Sequence, residues 1–459
     1  MFKKYFTLMM AALLLLSACG TVVQPSQPTQ PPAVEPSPNS PGVETPGTGE
    51  PMPTTQAPAQ QEGEQRGNAP YEPYPQADPA ELAAFSEAQQ AFALAIYQKL
   101  ASGKAENLIL SPYSIYQALL MTYAGAAGET KAQMQTALQL PVSDESVHML
   151  MNALTQANLP SKVLLPEGVM PFELRTANAL WGQVGFSFLQ TFLDTLSKHY
   201  DAPMHSLDFA KSDEATDTIN NWVAEHTADK IQNIIPKGAL GEDTRLVLTN
   251  AIYFKGSWQR PFLKENTLDA PFYPAEGKTV TVSMMHQTAA FEAVDGEGYQ
   301  AILLPYQGGT KAMLIVLPDG GLNAFNAGLD LQKLQVIRAE LRSQRVQLSM
   351  PRFKVETQFD LNQAMSELGM PAAFDAQAAD FSGMTGDRSL MIGNILHKAF
   401  ADVNEDGTEA AAATAVVMEL TSAPVQEDPL TITLDRPFYF AIIDDENGSV
   451  LFNGQVVEP

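Results

Sequence analysis

The chain has 459 residues, of which 45% are hydrophobic and 17% charged, enough apolar material for a sizeable core. Acidic residues outnumber basic ones 52 to 27, and the net charge of −25 repels nucleic-acid phosphates and anionic glycans, which argues against a nucleic-acid binder or a heparin-dependent protein. Its one cysteine, Cys19, excludes an intramolecular disulfide.

Lys3 and Lys4 precede an apolar run from Leu8 to Leu16, followed by Ser17, Ala18 and Cys19. The order basic, apolar, small is that of a cleaved secretory signal over residues 1–18. Leu16-Ser17-Ala18-Cys19 resembles a bacterial lipobox, which implies Cys19 as the lipidated first residue of a membrane-anchored, extracytoplasmic lipoprotein. The alternative is a plain signal peptide that happens to hold a cysteine. The apolar run is too short to cross a bilayer as a helix. Residues 19–78 then read as a lipidated cysteine and a disordered tether, rich in Pro, Gly, Ser, Thr, Gln and Glu. That composition buries too little apolar surface to offset chain entropy, and its prolines keep it extended.

Globular patterning begins near Pro79. Leu82, Phe85, Phe92, Ile96 and Leu100 fall at mostly helical spacing and predict an amphipathic helix. Further helices are expected near 112–124, 129–139, 186–199 and 213–229. Strands are expected at 246–248, 279–285, 301–305, 313–318, 345–350, 394–403, 437–443 and 450–452. Helices come first and strands dominate later, which points to α+β and one large domain over 79–459.

Signatures of catalysis are missing. The sequence has no His-Glu-x-x-His, no Cys-x-x-Cys, no phosphate-binding loop and no Gly-x-Ser-x-Gly elbow. Gly296-Glu297-Gly298 precedes a strand instead of following one, unlike a dinucleotide loop. Asp402-x-Asn404-x-Asp406-Gly407 imitates the start of a calcium loop, but its twelfth position is Ala413 where a bidentate Glu is required. The six histidines have no metal-ligand spacing. No enzyme activity, metal or cofactor is expected.

One segment reads two ways. From Thr408 to Pro424 the chain is rich in Ala, which favours a short helix capped by Thr408. Every second residue from Thr408, however, is uncharged: Thr408, Ala410, Ala412, Thr414, Val416, Met418 and Leu420. The other phase carries both charges, Glu409 and Glu419. As a strand, one face could enter a core while the other faced water. No proline interrupts before Pro424, so every N–H could join a ladder.

Five motifs in order then resemble the serpin family over residues 80–459. They are Asn107 to Ile115, Thr249 to Trp258, Asn394 to Ala399, Glu405 to Ala412, and the pair Arg436-Pro437-Phe438 and Leu451-Phe452-Asn453-Gly454. The resemblance implies helices packed around three β-sheets with an exposed reactive loop at about 405–428. It implies a monomeric protease inhibitor that acts as a suicide substrate. The protease cuts the loop and forms an acyl-enzyme, and the cleaved loop enters sheet A before hydrolysis. The alternative is a non-inhibitory serpin serving as a surface binding or scaffold protein.

By position, the resemblance makes Glu405, Gly407, Thr408, Glu409, Ala410, Ala411, Ala412 and Ala413 the hinge. It makes Ser111, Ser114, Asn250 and His397 a polar shutter beneath sheet A, and Trp258 part of the breach where the loop enters. The family's loop length places the cut at Thr421-Ser422, with Leu420 the alternative specificity residue. No Arg or Lys lies between Lys398 and Arg436, so elastase-, chymotrypsin- or subtilisin-like targets are expected, with papain-like cysteine proteases left open. Pro141 to Pro160 contains no Lys or Arg, so no heparin site is expected there.

Overall fold

Asp78 opens the first long helix, Pro79–Ala101, by accepting hydrogen bonds from the N–H groups of Ala80 and Glu81, with Pro79 at the first helical position. The computed structural model describes residues 62–142, 144–160, 172–409 and 428–459. The expectations for the signal, Cys19, Ala410 to Ala413, Leu420, Thr421 and Ser422 fall outside these residues. A second helix, Pro112–Tyr123, is capped by Ser111, whose hydroxyl accepts from the N–H of Ser114. All twelve of its residues are buried. A helix with no polar face belongs in a core, and this one lies in the main apolar cluster with strand residues of both sheets.

Strands form two hydrogen-bonded networks among the described residues. The first runs Gly63–Gln65, Met204–Leu207, Glu173–Gln183, Leu246–Ser257, Gly407–Thr408, Asn394–Asn404 and Phe353–Asp360. The second runs Leu430–Thr433, Arg342–Pro351, Val280–Gly296, Tyr299–Pro305, Lys311–Pro318, Phe438–Asp444, Val450–Val456 and Leu108–Leu110, with Leu268–Phe272 also on 280–296. Three sheets were expected. Two of them are continuous here because one 17-residue strand, Val280–Gly296, pairs with 268–272 and 342–351 along most of its length and with 299–305 at its end. Phe438–Asp444 is buried at every position, as a central strand covered on both faces requires.

The tether boundary needs correcting. Residues 62–78, expected to be disordered, are packed. Gly63–Gln65 pairs antiparallel with Met204–Leu207 at the edge of the first sheet. The chain then crosses the helix Gln190–Tyr200, where Ser197 accepts from Gly67 N–H (2.8 Å) and Asp194 accepts from Asn68 and Ala69 N–H (2.6 and 3.1 Å). Asn152, on the helix Asp144–Asn158, donates to the Glu72 carbonyl and accepts from Tyr71 Oη. Composition reports apolar burial, whereas this segment is held by backbone hydrogen bonds to a sheet edge and to two side chains. Asp194→Ala should therefore speed trypsin cleavage after Arg66 severalfold, read by limited proteolysis, while the rest of the digest stays unchanged.

Candidate functional site

The first sheet is zipped along its centre and split at one end. Strands 246–257 and 394–404 pair in parallel from Val247/Asn394 to Ile252/Ala399. Beyond Ala399 they part, and Gly407–Thr408 occupies the split. Gly407 pairs with Ser257 and Asn404, and Thr408 with Gly256 and Val403, antiparallel on both sides. Thr408, the first residue of the Ala-rich segment, and Gly407 before it thus already form a strand between the two central ones.

Close approach dictates Gly407. Its φ is +152°, and a Cβ there would stand 2.0 Å from the Gly256 carbonyl oxygen. Thr408 is 1% exposed, so its side chain faces the core. Its hydroxyl lies 2.7 Å from Tyr306 Oη, and the Tyr306 ring stacks on Trp258 at 4.6 Å. Trp258 in turn donates its indole N–H to the Asn404 carbonyl (2.9 Å) and its backbone N–H to the Asp406 carbonyl (2.9 Å). The turn that delivers the loop is fastened to the mouth of the split.

Glu405 anchors that turn from the other side. It is 2% exposed and accepts from Arg352 Nε (2.8 Å), Arg352 Nη2 (2.5 Å) and Thr267 Oγ1 (2.5 Å). Burial works to raise its pKa, but the hydrogen bonds from Arg352 and Thr267 outweigh burial and hold the carboxyl below its ordinary range. Glu405→Ala should cost about 1–3 kcal/mol, seen as a lower thermal midpoint, because it strips a buried acceptor from both donors.

Along the zipped part, Asn250 and His397 are register partners on the two strands. His397 Nδ1 and Asn250 Oδ1 are 2.5 Å apart, and His397 Nε2 accepts from Ser111 N–H at 3.0 Å. Since Nε2 accepts, Nδ1 carries the proton and the imidazole is neutral. Asn250 Nδ2 donates to Ser114 Oγ and to Asn178 Oδ1, both at 2.6 Å. Ser111 Oγ donates to the Leu451 carbonyl (2.6 Å), tying the group to the second sheet. This polar network, fully buried at Ser111, Ser114, Asn250 and His397 and partly exposed at Asn178, is a clasp across the seam. It ties both strands and the central helix while the strands stay paired, and any strand entering between 250 and 397 must break it.

The first sheet is thus split at one end, holds a two-residue strand in the split and is clasped across the rest of its seam. Residues 87–459 match the family model described as serpin (serine protease inhibitor). The chain belongs to the serpin family. It is 37% identical over 387 residues to the leukocyte elastase inhibitor of Equus caballus, covering 82% of this chain and 99% of that one. It is also similar to two solved serpins, each at 28% identity. For tengpin, a thermophilic serpin in its native state, the TM-score is 0.75 over 86% of this chain and 98% of tengpin. For human thyroxine-binding globulin complexed with thyroxine, it is 0.73 over 83% of this chain and 99% of that one.

Within this serpin, the residues proposed from sequence fall into two connected groups. Ser111, Ser114, Asn250 and His397 form the clasp. Trp258, Glu405, Gly407 and Thr408 form the mouth, with Glu409 at its exit. Sequence reasoning missed several partners: Asn178 in the clasp, Tyr306 against Thr408, and Arg352 and Thr267 on Glu405. All are distant in sequence from the groups they serve, and no local pattern marks them.

Proposed function

We propose that this serpin inhibits a serine protease as a suicide substrate. The observation that carries the reading is the two-residue strand at Gly407–Thr408, antiparallel to both neighbours and oriented with Thr408 inward. Carried on in the same register, six residues further would bring Thr414 level with both Asn250 and His397. Thr414 shares the uncharged phase of Thr408, and its hydroxyl would meet the polar clasp.

In this mechanism the protease serine Oγ attacks the carbonyl of Thr421. The Thr421–Ser422 peptide bond breaks, Thr421 is held as an ester, and Ser422 leaves as a free amine. The chemistry is the protease's, and this chain supplies the energy. One parallel strand pairing is exchanged for two antiparallel ones, each new N–H joining a ladder. Insertion carries the esterified protease away before water reaches the ester. Thr421, with Leu420 before it, suits elastase-, chymotrypsin- or subtilisin-like enzymes. A lipid on Cys19 would hold this inhibitor at an extracytoplasmic membrane face.

Mixing the protein with elastase and with subtilisin tests the reading on denaturing gels. We expect a complex that survives denaturation, with mass spectrometry placing the released N-terminus at Ser422. Clean loop cleavage without a complex would leave a non-inhibitory binding role instead.

A further inference from the structure

Thr408 is followed at once by a residue that leaves the sheet. Glu409 has φ +52°, a left-handed conformation that costs an ordinary side chain energy and needs holding in place. Its N–H still donates to the Asp402 carbonyl (2.8 Å), continuing the ladder by one bond, but its backbone has left the extended conformation of a strand. Its carboxylate is 9% exposed and lies 2.7 Å from Lys230 Nζ.

Lys230 belongs to the connection that follows the helix Ser212–His226. That helix packs Ile219 and Val223 in one cluster with Ala177, Trp181, Val247 and Ala251 on one side of the seam and Leu396 on the other. The connection then reaches that other side. Lys398 Nζ donates to the Gln232 carbonyl (2.9 Å), and Gln358 Nε2 to the Ile234 carbonyl (2.9 Å). It therefore bridges the seam that an inserting strand must open. It is itself held in a tense shape, with Ala228, Asp229 and Asn233 at φ +52°, +59° and +54°.

We propose that the Lys230–Glu409 ion pair is a catch that stops the uncut loop from entering the sheet. The pair joins the first residue outside the sheet to the bridge over the seam. It holds Glu409 in the left-handed conformation that breaks the strand after Thr408. Loss of either charge lets Glu409 relax to an extended conformation, which is the next step of insertion. Lys230 is a positioning residue: it touches neither the protease nor the scissile bond. The proposal rests on the reading of the hinge as an insertion point, but not on which protease, if any, is inhibited.

The test therefore uses the full chain without protease. Intact protein is incubated, and conversion to a loop-inserted form is followed as the uncut fraction that survives a heating step. Annealing of a synthetic peptide of residues 410–420 into the sheet is measured in parallel. For an ion pair whose lysine is half-exposed, Glu409→Gln and Lys230→Met should each speed both processes about two- to fivefold. The double variant should match either single one, since both remove the same pair. Lys230→Arg, and Lys230→Glu combined with Glu409→Lys, should return to the parent rate. Added salt should speed the parent but not Glu409→Gln. Parent rates in both single variants, or additive effects in the double, would overturn the catch. Failure to trap any protease would count against the proposed function alone.

Discussion

On the proposed mechanism, Thr408→Arg should turn this serpin from an inhibitor into a substrate. In the native hinge Thr408 is 1% exposed, and its hydroxyl meets Tyr306 Oη inside the mouth of the split. An arginine there loses the hydroxyl contact with Tyr306 and must be stripped of water, at an effective cost of several kcal/mol. The hinge is then expelled from the split and insertion must begin by burying that charge, whereas acylation by the protease is untouched, because the proposed cut at Thr421-Ser422 lies far along the loop. Each 1.36 kcal/mol slows insertion about tenfold, so hydrolysis wins the race. The number of inhibitor molecules consumed per protease inactivated should rise from about one to well above about ten by the same conversion. Thr408→Ser keeps the hydroxyl and should leave this ratio unchanged. Thr408→Val removes a bond that the uncut protein already makes, so it should lower the thermal midpoint by an amount worth about 1–3 kcal/mol and leave the ratio near the parent's. An unchanged ratio in Thr408→Arg would mean that the loop traps proteases without entering the sheet at Thr408.

The helices were legible where an apolar stripe was legible. Pro79–Ala101 and Pro112–Tyr123 lie within a residue or two of the expected spans. Asp144–Asn158 was missed, because its apolar residues are mixed with polar ones such as Asn152, which is buried for its bonds to Tyr71 and Glu72. Strands with continuous apolar runs, such as Phe438–Asp444, were found for the reason they are buried. Glu173–Gln183 was not, since Arg175 and Asn178 interrupt its apolar run, and Phe353–Asp360 was overlooked although Phe353, Val355 and Phe359 alternate with Lys354 and Glu356 as in a strand with one buried face. Those charges stand on a sheet face that is partly open to water, as in the ion pair between Glu356 and Lys398. The functional residues were legible in two ways. The uncharged phase of 408–420 follows from elementary strand geometry, and the inward side chain of Thr408 starts that phase on the expected face. The clasp came from the family resemblance alone. Nothing local marks His397 as the partner of Asn250, because the contact depends on which strands lie side by side.

Acid should loosen the seam, and His397 should account for a definable share of the loss. Burial pushes its imidazole pKa down from 6.5 to about 3, with a smaller opposing push from the hydrogen bond to Asn250. A proton on Nε2 would also evict the Ser111 N–H that donates to it. The depressed pKa gives the sign. Above the unfolded value of 6.5 both states are neutral, and the folded state keeps its full stability. As pH falls from 6.5 towards 3 the unfolded chain binds a proton that the folded chain refuses, so stability declines across that window. At pH near 5 this amounts to about 2 kcal/mol for His397 alone. His148 and His205, lowered by burial to about 3 and about 4, add losses in the same direction. The contribution of His397 is isolated by His397→Gln, which retains hydrogen-bonding groups but cannot titrate. Its thermal midpoint should be lower than the parent's at neutral pH yet fall less between neutral pH and pH near 5. The clasp also has a signature that a remote histidine lacks. Because His397 and Asn250 face each other across the seam, acid should speed entry of the 410–420 peptide into the parent sheet, and this acceleration should shrink in His397→Gln. Equal pH responses of parent and variant in both measurements would remove His397 from the control of the seam.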